Sequence, residues 1–355
     1  MDWLLKIFNY IKVKVTGETS SNSPAARTAA NKKPIFNGNG KTEYPNEIQM
    51  VTELSDRQIE INNTRKKYIT TTQNPDYKVK KGDNISKIAQ HFDVEVRSIM
   101  AANALDKDSA GKIRPGQTLK IPPTHTVKNV KNLNDVAKSM GVSLDFIKKL
   151  KKLEDNGELG ENEFHLTPYK DKAGVLTIGI GHVLKPSDPK TLTKSQVAEL
   201  CANDLLKMEE NLCVLLGGKK NYDKLPQSMK EALLDMTFNK GTSIIEETPG
   251  LLYCLKQGKY EAAINKFTNN KSTATGKEMS GLSKRRLFDI SLAARMYNGK
   301  IPQSNINTAQ EVYNRGVALL RAECKKDGKN FANQLAGYNK DIQSYFGNHI
   351  KLTTK

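Results

Sequence analysis

The chain has 355 residues and a formal net charge of +18. This length allows two or three domains with sizeable cores, and the charge predicts a polyanionic partner such as nucleic acid, an anionic wall polymer or a membrane surface. The sequence has no aromatic-interleaved basic motif of a nucleic-acid module and no apolar run long enough to span a membrane. The cell envelope is therefore the favoured partner. Four cysteines lie outside C-x-x-C pairs and metal-ligand spacings, so we expect buried or free thiols.

The first 75 residues are predicted to form an N-terminal arm and linker. Residues 1–15 place apolar side chains on one helical face among lysines, which fits a docking peptide for a partner or membrane, or a terminal helix packed on its own domain. Residues 17–46 have linker composition, and residues 47–73 are expected to form an extended arm or one short helix. No signal peptide is predicted, because an acidic residue precedes the first apolar run and a lysine interrupts it.

Residues 76–123 differ sharply in character and predict the order strand, helix, helix, strand, from YKVKKGDNISKIAQHF to IRPGQTLKIP. This stretch resembles a lysin motif (LysM) domain nearly end to end. The resemblance implies a βααβ domain that binds N-acetylglucosamine-containing chains in a groove between residues 82–86 and residues 113–117. Few aromatic residues flank this groove, so a LysM fold kept only for packing is the alternative. The residues assigned to glycan contact are Gly82, Asp83, Asn84, Ile85, Pro115 and Gly116.

A partial repeat follows, since residues 134–148 echo residues 86–100. Strands are not evident around the second copy, so we interpret it as a helix pair leading into the next domain. Its second helix carries apolar residues at helical spacing and ends at Glu154, which closes the apolar face. Burial there is expected to raise the pKa of the Glu154 carboxyl group and keep it protonated. Glu163 lies in a polar, Gly-containing stretch and is expected to be solvated.

Residues 169–182 read YKDKAGVLTIGIGH, in which a Gly-containing turn separates two runs with strand character. This pattern predicts a β-hairpin that folds Thr177 back towards Asp171, so that a carboxylate and a hydroxyl group can share one water. Together with Glu154, these residues provide the two carboxyl groups and the water-holding hydroxyl that glycoside hydrolysis requires.

This run of residues, with Tyr169, Lys170 and Asp171 followed by Thr-Ile-Gly-x-Gly-His, resembles the phage-type lysozymes, the family of the T-even phage lysozyme and many endolysins. The resemblance implies an α+β fold, mostly helical with a small β-hairpin lobe. It also implies a glycoside hydrolase that cleaves the β-1,4 bond between N-acetylmuramic acid and N-acetylglucosamine, without metal or cofactor.

The resemblance also implies roles for individual residues. Glu154 would protonate the glycosidic oxygen, and Asp171 with Thr177 would position a water for attack on the opposite face, as in inverting members. The spacing from Glu154 to Asp171 is longer than usual in the family, so Glu163 is the alternative acid. The residues assigned to substrate binding are Gly181, His182 and Asn239. Two of these have second interpretations, since His182 is expected to fix the hairpin against the helical lobe and Asn239 suits a helix end.

Beyond the hairpin the pattern is helical. Residues 193–196 form a capping box that opens a helix ending at Leu216, and another helix is expected over residues 251–267. Arg285 and Arg286 lie in a Gly-Leu-x-x-Arg-Arg segment that resembles one in many endolysins, and they are expected to be structural or part of the basic surface. The predicted boundaries are 130–298 for the catalytic domain and 299–355 for a C-terminal helical extension with two helices.

These features predict a peptidoglycan hydrolase carried in a phage virion, with the arm bound to tail or baseplate proteins and no nucleic acid bound. The protein would be made in the host cytoplasm and act at the cell wall. Two alternatives remain open. One is a soluble endolysin released through a holin, and the other is a catalytically inert, glycan-binding structural virion protein. The complete set of Glu154, Asp171 and Thr177 favours an active enzyme.

Overall fold

A computed structural model describes residues 35–36, 42–43, 58–155, 158–171, 174–271 and 276–354. The chain divides into two compact units, residues 1–62 and residues 63–355. In the first unit, strands β1 (Ile35–Phe36) and β2 (Thr42–Glu43) pair antiparallel. Apart from these strands, the segments predicted over residues 1–15 and 17–46 lie outside the described residues. Residues 58–65 are helical, in agreement with the short helix that was one of two expectations there.

The LysM-like segment has the predicted βααβ order, with one additional short helix. Its elements are β4 (Tyr77–Lys78), α1 (Ile85–Phe92), α2 (Val96–Ala102), α3 (Lys107–Ala110) and β5 (Thr118–Leu119), and β4 pairs antiparallel with β5. The Asn84 side chain caps α1 by accepting a hydrogen bond from the Lys87 backbone N–H at 2.8 Å. Ile88, Ile99 and Leu119 belong to a small hydrophobic core separate from the main one.

The LysM-like segment is inserted between two paired strands. Strand β3 (Ile69–Thr72) precedes the segment and pairs antiparallel with β6 (Thr124–Val127), which follows it. Strand β6 leads into helices α4 (Leu133–Met140) and α5 (Leu144–Glu154). The prediction that strands are absent around the second copy of the repeat is therefore wrong. The partner strand comes from upstream of the first copy, a long-range pairing that no local pattern indicates.

The two copies of the repeat share their local geometry. The backbone N–H of Val94 donates to the Ala89 carbonyl, and that of Val142 donates to the Ala137 carbonyl, both at 3.0 Å. In each copy an asparagine caps the first helix and a residue with left-handed backbone ends it. The repeat detected in the sequence is therefore a repeat of local structure from strand to second helix.

Several polar contacts attach the LysM-like segment and its flanking strands to the helical body. Arg65 forms a buried ion pair with Glu209 at 2.9 Å, and the Asn203 side chain hydrogen-bonds both backbone groups of Val127, at 2.9 and 3.0 Å. Arg97 on α2 donates two hydrogen bonds to the Glu246 carboxylate, at 2.9 and 2.7 Å. These contacts, together with the paired strands, hold the segment at more than one point.

The helical body follows α5 and a small three-stranded sheet. Its elements are β7 (His165–Lys170), β8 (Leu176–Gly179), β9 (His182–Val183), α6 (Lys194–Leu216), α7 (Lys219–Asp223), α8 (Gln227–Lys240), α9 (Ser243–Glu246), α10 (Leu251–Lys256), α11 (Tyr260–Ile264), α12 (Ser280–Ala294), α13 (Gln303–Asp327) and α14 (Phe331–Phe346). Short 3₁₀ turns occupy Arg295–Tyr297 and Gly347–His349. One continuous hydrophobic core extends from β6 to α14, so the two predicted C-terminal helices share the core of the body.

The local helix predictions have mixed outcomes. The capping box is confirmed, because the Thr193 hydroxyl accepts from the Gln196 backbone N–H and the Gln196 side chain accepts from the Thr193 backbone N–H. The single helix expected over residues 251–267 is wrong, because the chain forms α10 and α11 instead. Gly258 lies between them with a φ of +66°, a left-handed conformation that ends the first helix.

Among the described residues, no helix is long and apolar enough to span a membrane. All four cysteines are free thiols, and Cys201, Cys254 and Cys324 are buried, as expected from their positions in helices.

Candidate active site

Helix α5 places Glu154 at the edge of the core. The Ser143 hydroxyl caps its start by accepting from the Phe146 backbone N–H at 3.1 Å, and apolar side chains bury its inner face. In the last turn of the helix, the buried Lys151 ammonium forms an ion pair with Asp155 at 2.6 Å and donates to the Gly160 carbonyl at 2.9 Å. The helix end and the following loop are therefore fixed on both sides of Glu154.

The Glu154 carboxyl group lies against Arg285 of helix α12. Its Oε1 atom is 2.7 Å from Arg285 Nη2, and the Glu154 side chain is only 18% exposed. Burial raises the pKa of Glu154 above its ordinary value. The Arg285 guanidinium opposes this rise, and the carboxylates of Asp235 and Asp155 add to it. The carboxyl group thus has the shielded environment expected of a general acid.

Gly181 makes the close approach to Glu154 possible. A Cβ atom at Gly181 would lie 2.6 Å from Glu154 Oε2, closer than real Cβ contacts allow. The backbone at Gly181 also has a φ of +67°, which favours glycine. Gly181 was assigned to substrate binding, and its contact in the structure is with the proposed acid.

The predicted hairpin is present as strands β7 and β8, and β9 adds a third strand. Asp171 follows β7, where its Oδ1 atom accepts from the Val175 backbone N–H at 2.7 Å. Tyr169 lies opposite Thr177 in the ladder. Because side chains alternate between the faces of a sheet, Thr177 and Asp171 lie on the same face of the hairpin, diagonally across the strands.

The charges of Glu154 and Asp171 both influence the Tyr169 phenol. Burial raises the pKa of the Tyr169 hydroxyl, and the carboxylates of Glu154 and Asp171 both add to the shift. The Thr177 hydroxyl donates to the Tyr169 carbonyl at 3.4 Å. Both carboxyl groups are therefore near enough to this one phenol to act on it electrostatically. The Tyr169 ring stacks on His165 with centroids 3.8 Å apart.

Glu163, the alternative acid, has a different environment. Its side chain is exposed and its Oε2 atom accepts from the Gly160 backbone N–H at 2.9 Å. This hydrogen bond closes a turn in the loop after α5. Glu163 lacks the shielded position beside Arg285 that Glu154 has, so the geometry favours Glu154 as the acid.

His182 joins the sheet to the helical body. Its Nδ1 atom lies 2.7 Å from the Asp204 carboxylate on α6, and its Nε2 atom lies 3.1 Å from the Asp188 carboxylate. Burial opposes the charged imidazolium, but the hydrogen bonds and charges of Asp204 and Asp188 outweigh burial and raise the pKa of His182. Both ring nitrogens contact carboxylates of the protein, which is the arrangement expected of a histidine with a structural role.

We expect the substitution His182→Asn to destabilise the protein by about 3 kcal/mol at low pH, because it removes one partner of two largely buried ion pairs. The pKa of His182 is higher in the folded protein than the value of about 6.5 in the unfolded chain. The stabilisation is therefore fully present below a pH of about 6.5 and is lost as the pH rises through the pKa of the folded protein. Urea unfolding of both proteins between pH 5.5 and pH 9 measures the difference. A difference that does not shrink at alkaline pH would contradict this ionic role.

Asn239 is in contact with Arg286. Arg286 Nη2 donates to Asn239 Oδ1 at 3.2 Å, at the end of helix α8. Arg285 and Arg286 are both buried, so the alternative that they belong to the basic surface is wrong. Helical periodicity did not predict the burial of these two arginines. Charged residues are normally assigned to the exposed face of a helix, and burial becomes evident only when their counterions are known.

In the LysM-like segment, both loops assigned to glycan contact are hydrogen-bonded to residues 77–80. The Val79 backbone donates to Gln117 and accepts from Gly116, both at 2.8 Å. Asp83 accepts from the Tyr77 hydroxyl and from the Lys80 backbone, both at 2.8 Å. Most of the assigned residues are exposed or partly exposed, namely Gly82, Asp83, Asn84, Pro115 and Gly116. Ile85 is buried in the small core.

Several contacting residues were not found by sequence reasoning. They are Asp235, Asp188, Asp204 and, as a partner of the acid, Arg285. In the parts of the chain that the structure describes, no group of three or more His, Cys, Asp or Glu side chains is arranged to hold a metal ion.

Comparison with known families identifies two regions. The family described as Phage lysozyme matches residues 161–288, and the LysM domain family matches residues 77–122. The first match includes Asp171, Thr177 and Arg285 and begins after Glu154, so the assignment of the acid depends on geometry.

Two curated relatives are similar over parts of the chain. The SAR-endolysin of Bacteriophage PS119 is 31% identical over 122 residues, which are 34% of this chain and 68% of the relative. The peptidoglycan hydrolase gp36 of Enterobacteria phage SP6 is 25% identical over 187 residues, which are 48% of this chain. That match spans only 19% of the length of the SP6 protein.

Solved structures also resemble the chain. The active form of the P1 phage endolysin Lyz has 16% identity and a TM-score of 0.37, covering 47% of this chain and 96% of that chain. A variant of P22 lysozyme has 27% identity and a TM-score of 0.31, covering 41% and 92%. From the family matches, the extent of the PS119 relative and the α+β fold, the chain belongs to the phage lysozyme family and carries a LysM domain ahead of the lysozyme region.

Proposed function

We propose that this protein is a muramidase that cleaves the β-1,4 bond between N-acetylmuramic acid and N-acetylglucosamine in peptidoglycan. The observation that supports this most directly is the Glu154 carboxyl group, which is largely buried between Arg285 and Gly181. The hairpin beside it carries Asp171 and Thr177 on one face. Glycoside hydrolysis requires a general acid and a second carboxylate that acts on the attacking water, and these residues provide both groups.

In the proposed reaction, Glu154 donates its proton to the glycosidic oxygen as the bond to the leaving sugar breaks. Asp171 accepts a proton from a water that the Thr177 hydroxyl helps to hold, and the water attacks the anomeric carbon from the opposite face. The Asp171 Oδ1 atom accepts a hydrogen bond from the Val175 backbone N–H at 2.7 Å, which holds the side chain at the hairpin turn. The product would have inverted anomeric configuration.

Digestion of purified peptidoglycan tests this proposal. We expect the new reducing ends to be N-acetylmuramic acid, which borohydride reduction followed by hydrolysis and amino-sugar analysis identifies. Proton NMR recorded as the product forms should give the inverted anomer first, before mutarotation. Reducing ends of N-acetylglucosamine would show a different bond specificity, and a product with retained configuration would show that Asp171 acts as a nucleophile instead.

We propose that the LysM domain binds the glycan chain close to the catalytic region. The loop of residues 113–117 is hydrogen-bonded to Val79, which precedes the loop of residues 82–86. Gly82 and Gly116 leave the surface open, with no atom within 4 Å of a Cβ placed at either position. The bidentate pair between Arg97 and Glu246 supports a fixed placement of this domain on the helical body. A LysM domain that only packs remains the competing function for this segment.

We further propose that the enzyme is carried in the virion, with the N-terminal arm bound to tail or baseplate proteins. The support is the amphipathic pattern of residues 1–15 followed by linker composition. The competing role is a soluble endolysin, and one relative, the PS119 protein, is named an endolysin.

Deletion of residues 1–57 tests the role of the arm. It leaves in place Arg65 and strand β3, which bind the helical body. We expect unchanged hydrolysis of purified peptidoglycan and loss of the protein from purified phage particles. Incorporation of the shortened protein at the wild-type level, or absence of the full-length protein from particles, would favour the endolysin.

A further inference from the structure

Arg285 is shared between two carboxyl groups. Its Nη2 atom lies 2.7 Å from Glu154 Oε1, and the same guanidinium donates to Asp235 through Nε at 2.9 Å and through Nη2 at 3.0 Å. The Asp235 side chain lies on helix α8 and is 0% exposed. The Arg285 guanidinium that contacts Glu154 is therefore already bound to Asp235 by two hydrogen bonds.

A second buried pair adjoins the first. Arg286 Nε lies 3.0 Å from Asp289 Oδ2, and both side chains are fully buried. Burial disfavours the charged forms of both partners, raising the pKa of Asp289 and lowering that of Arg286. The Arg286–Asp289 pair has no net charge whichever partner holds the shared proton, and Asp235 balances Arg285. Glu154 is the fifth ionisable group of the cluster, and no excess positive charge remains to hold it as an anion.

Other ionisable groups around Glu154 do not supply that charge. They are Asp155 at the end of α5, Tyr169 on β7 and the buried Cys201 thiol on α6. Each of them is neutral or negative, and the nearby Lys151 ammonium is already paired with Asp155 at 2.6 Å. A carboxyl group that is largely removed from water and lacks a net positive neighbourhood favours its protonated form. If Arg285 lacked Asp235, Glu154 would be its nearest counterion and would ionise.

We propose that Asp235 is a positioning residue for the hydrolytic reaction. It orients Arg285 by two hydrogen bonds and neutralises its charge, so that Glu154 keeps the proton it must donate. Asp235 acts only through Arg285. This inference rests on the proposed function of Glu154 as general acid.

The first test is the pH dependence of peptidoglycan hydrolysis by the variant Asp235→Asn. Asparagine keeps the size of the side chain and removes its charge. We expect the alkaline limb of the kcat/KM profile to move to lower pH by about one unit, which is a tenfold loss of activity on that limb. Activity on the acid side of the profile should be largely retained. A uniform loss at every pH, with the limb unmoved, would show a merely structural role.

A matched control replaces a carboxylate on the helix that carries Glu154. Asp145 lies in the first turn of α5 and pairs with Arg295 at 2.8 Å, with its side chain 54% exposed. We expect Asp145→Asn to leave the alkaline limb where it is. A limb that moves equally in both variants would reflect a general change of protein charge and would overturn the specific role of Asp235.

The second test needs neither activity nor a folded variant at position 235. Carboxyl groups of glutamate are labelled with ¹³C in the wild-type protein, and the Glu154 resonance is assigned by its absence in Glu154→Gln. We expect the pKa of Glu154 to lie above the ordinary glutamate value of about 4.3. Titration at or below that value would overturn the inference. Because the titration reports on Glu154 directly, a failure of the proposed muramidase activity would leave this result intact and distinguishable.

Discussion

Replacing Glu154 by glutamine should reduce peptidoglycan hydrolysis by about 10²–10⁴-fold, the contribution usually made by a positioned general acid. Glutamine keeps the volume of the side chain and its proximity to Arg285, but it has no transferable proton. Release of reducing sugar from purified peptidoglycan measures the loss. The thermal unfolding midpoint should remain near that of the wild type, because the substitution creates no cavity and removes no apolar contact.

The matched control for this prediction is Glu163→Gln. Glu163 closes a turn in the loop after α5 and its side chain is exposed. We expect its hydrolysis rate to equal that of the wild type, within the error of the assay. If Glu163→Gln is inactive and Glu154→Gln is active, the acid lies in the loop and the role proposed for the α5 carboxyl group is wrong.

Substituting Gly181 by alanine should reduce hydrolysis by about 10²-fold, the cost expected when a reacting group is misplaced by about 1 Å. The new Cβ atom would lie 2.6 Å from Glu154 Oε2, so the carboxyl group or the hairpin backbone must move. Steady-state kinetics should place the loss mainly in kcat, because the displaced group is the acid and the sugar-binding surface remains.

The left-handed backbone of Gly181 would by itself strain an alanine, by roughly 1–2 kcal/mol. Gly328→Ala separates that strain from the contact, because Gly328 has a φ of +66° and a Cβ atom added there would have no neighbouring atom within 4 Å. We expect Gly328→Ala to lower the unfolding midpoint and leave hydrolysis unchanged. Equal losses of activity in the two variants would mean that backbone strain, and not contact with Glu154, explains the effect at Gly181.

Much of the secondary structure could be predicted because its causes are local. The capping box before α6, the end of α5 at Glu154 and the hairpin between Tyr169 and Thr177 each depend on residues a few positions apart. Helix caps, helical periodicity and turn chemistry act over that distance, so a single sequence carries their full signal. The order of elements in the LysM domain follows from the same local rules.

Local sequence patterns gave two wrong predictions, one about strand pairing and one about the length of a helix. The partner of strand β6 is β3, which lies on the far side of the LysM domain, and no sequence period connects the two. The helix expected over residues 251–267 had continuous helical spacing, but Gly258 adopts a left-handed conformation and divides it. The first error arose because strand pairing depends on residues far apart in the chain. The second arose because helical spacing does not show where a glycine will adopt a left-handed backbone.

The sequence by itself determined the family, the hairpin with Asp171 and Thr177, and the placing of Glu154 at a helix end. Only the tertiary structure decided what surrounds that carboxyl group. Arg285 and Asp235 lie on two helices far along the chain, and packing brings them to Glu154 with water largely excluded. The protonation of an acid depends on burial and on neighbouring charge, and both arise only when distant segments pack together.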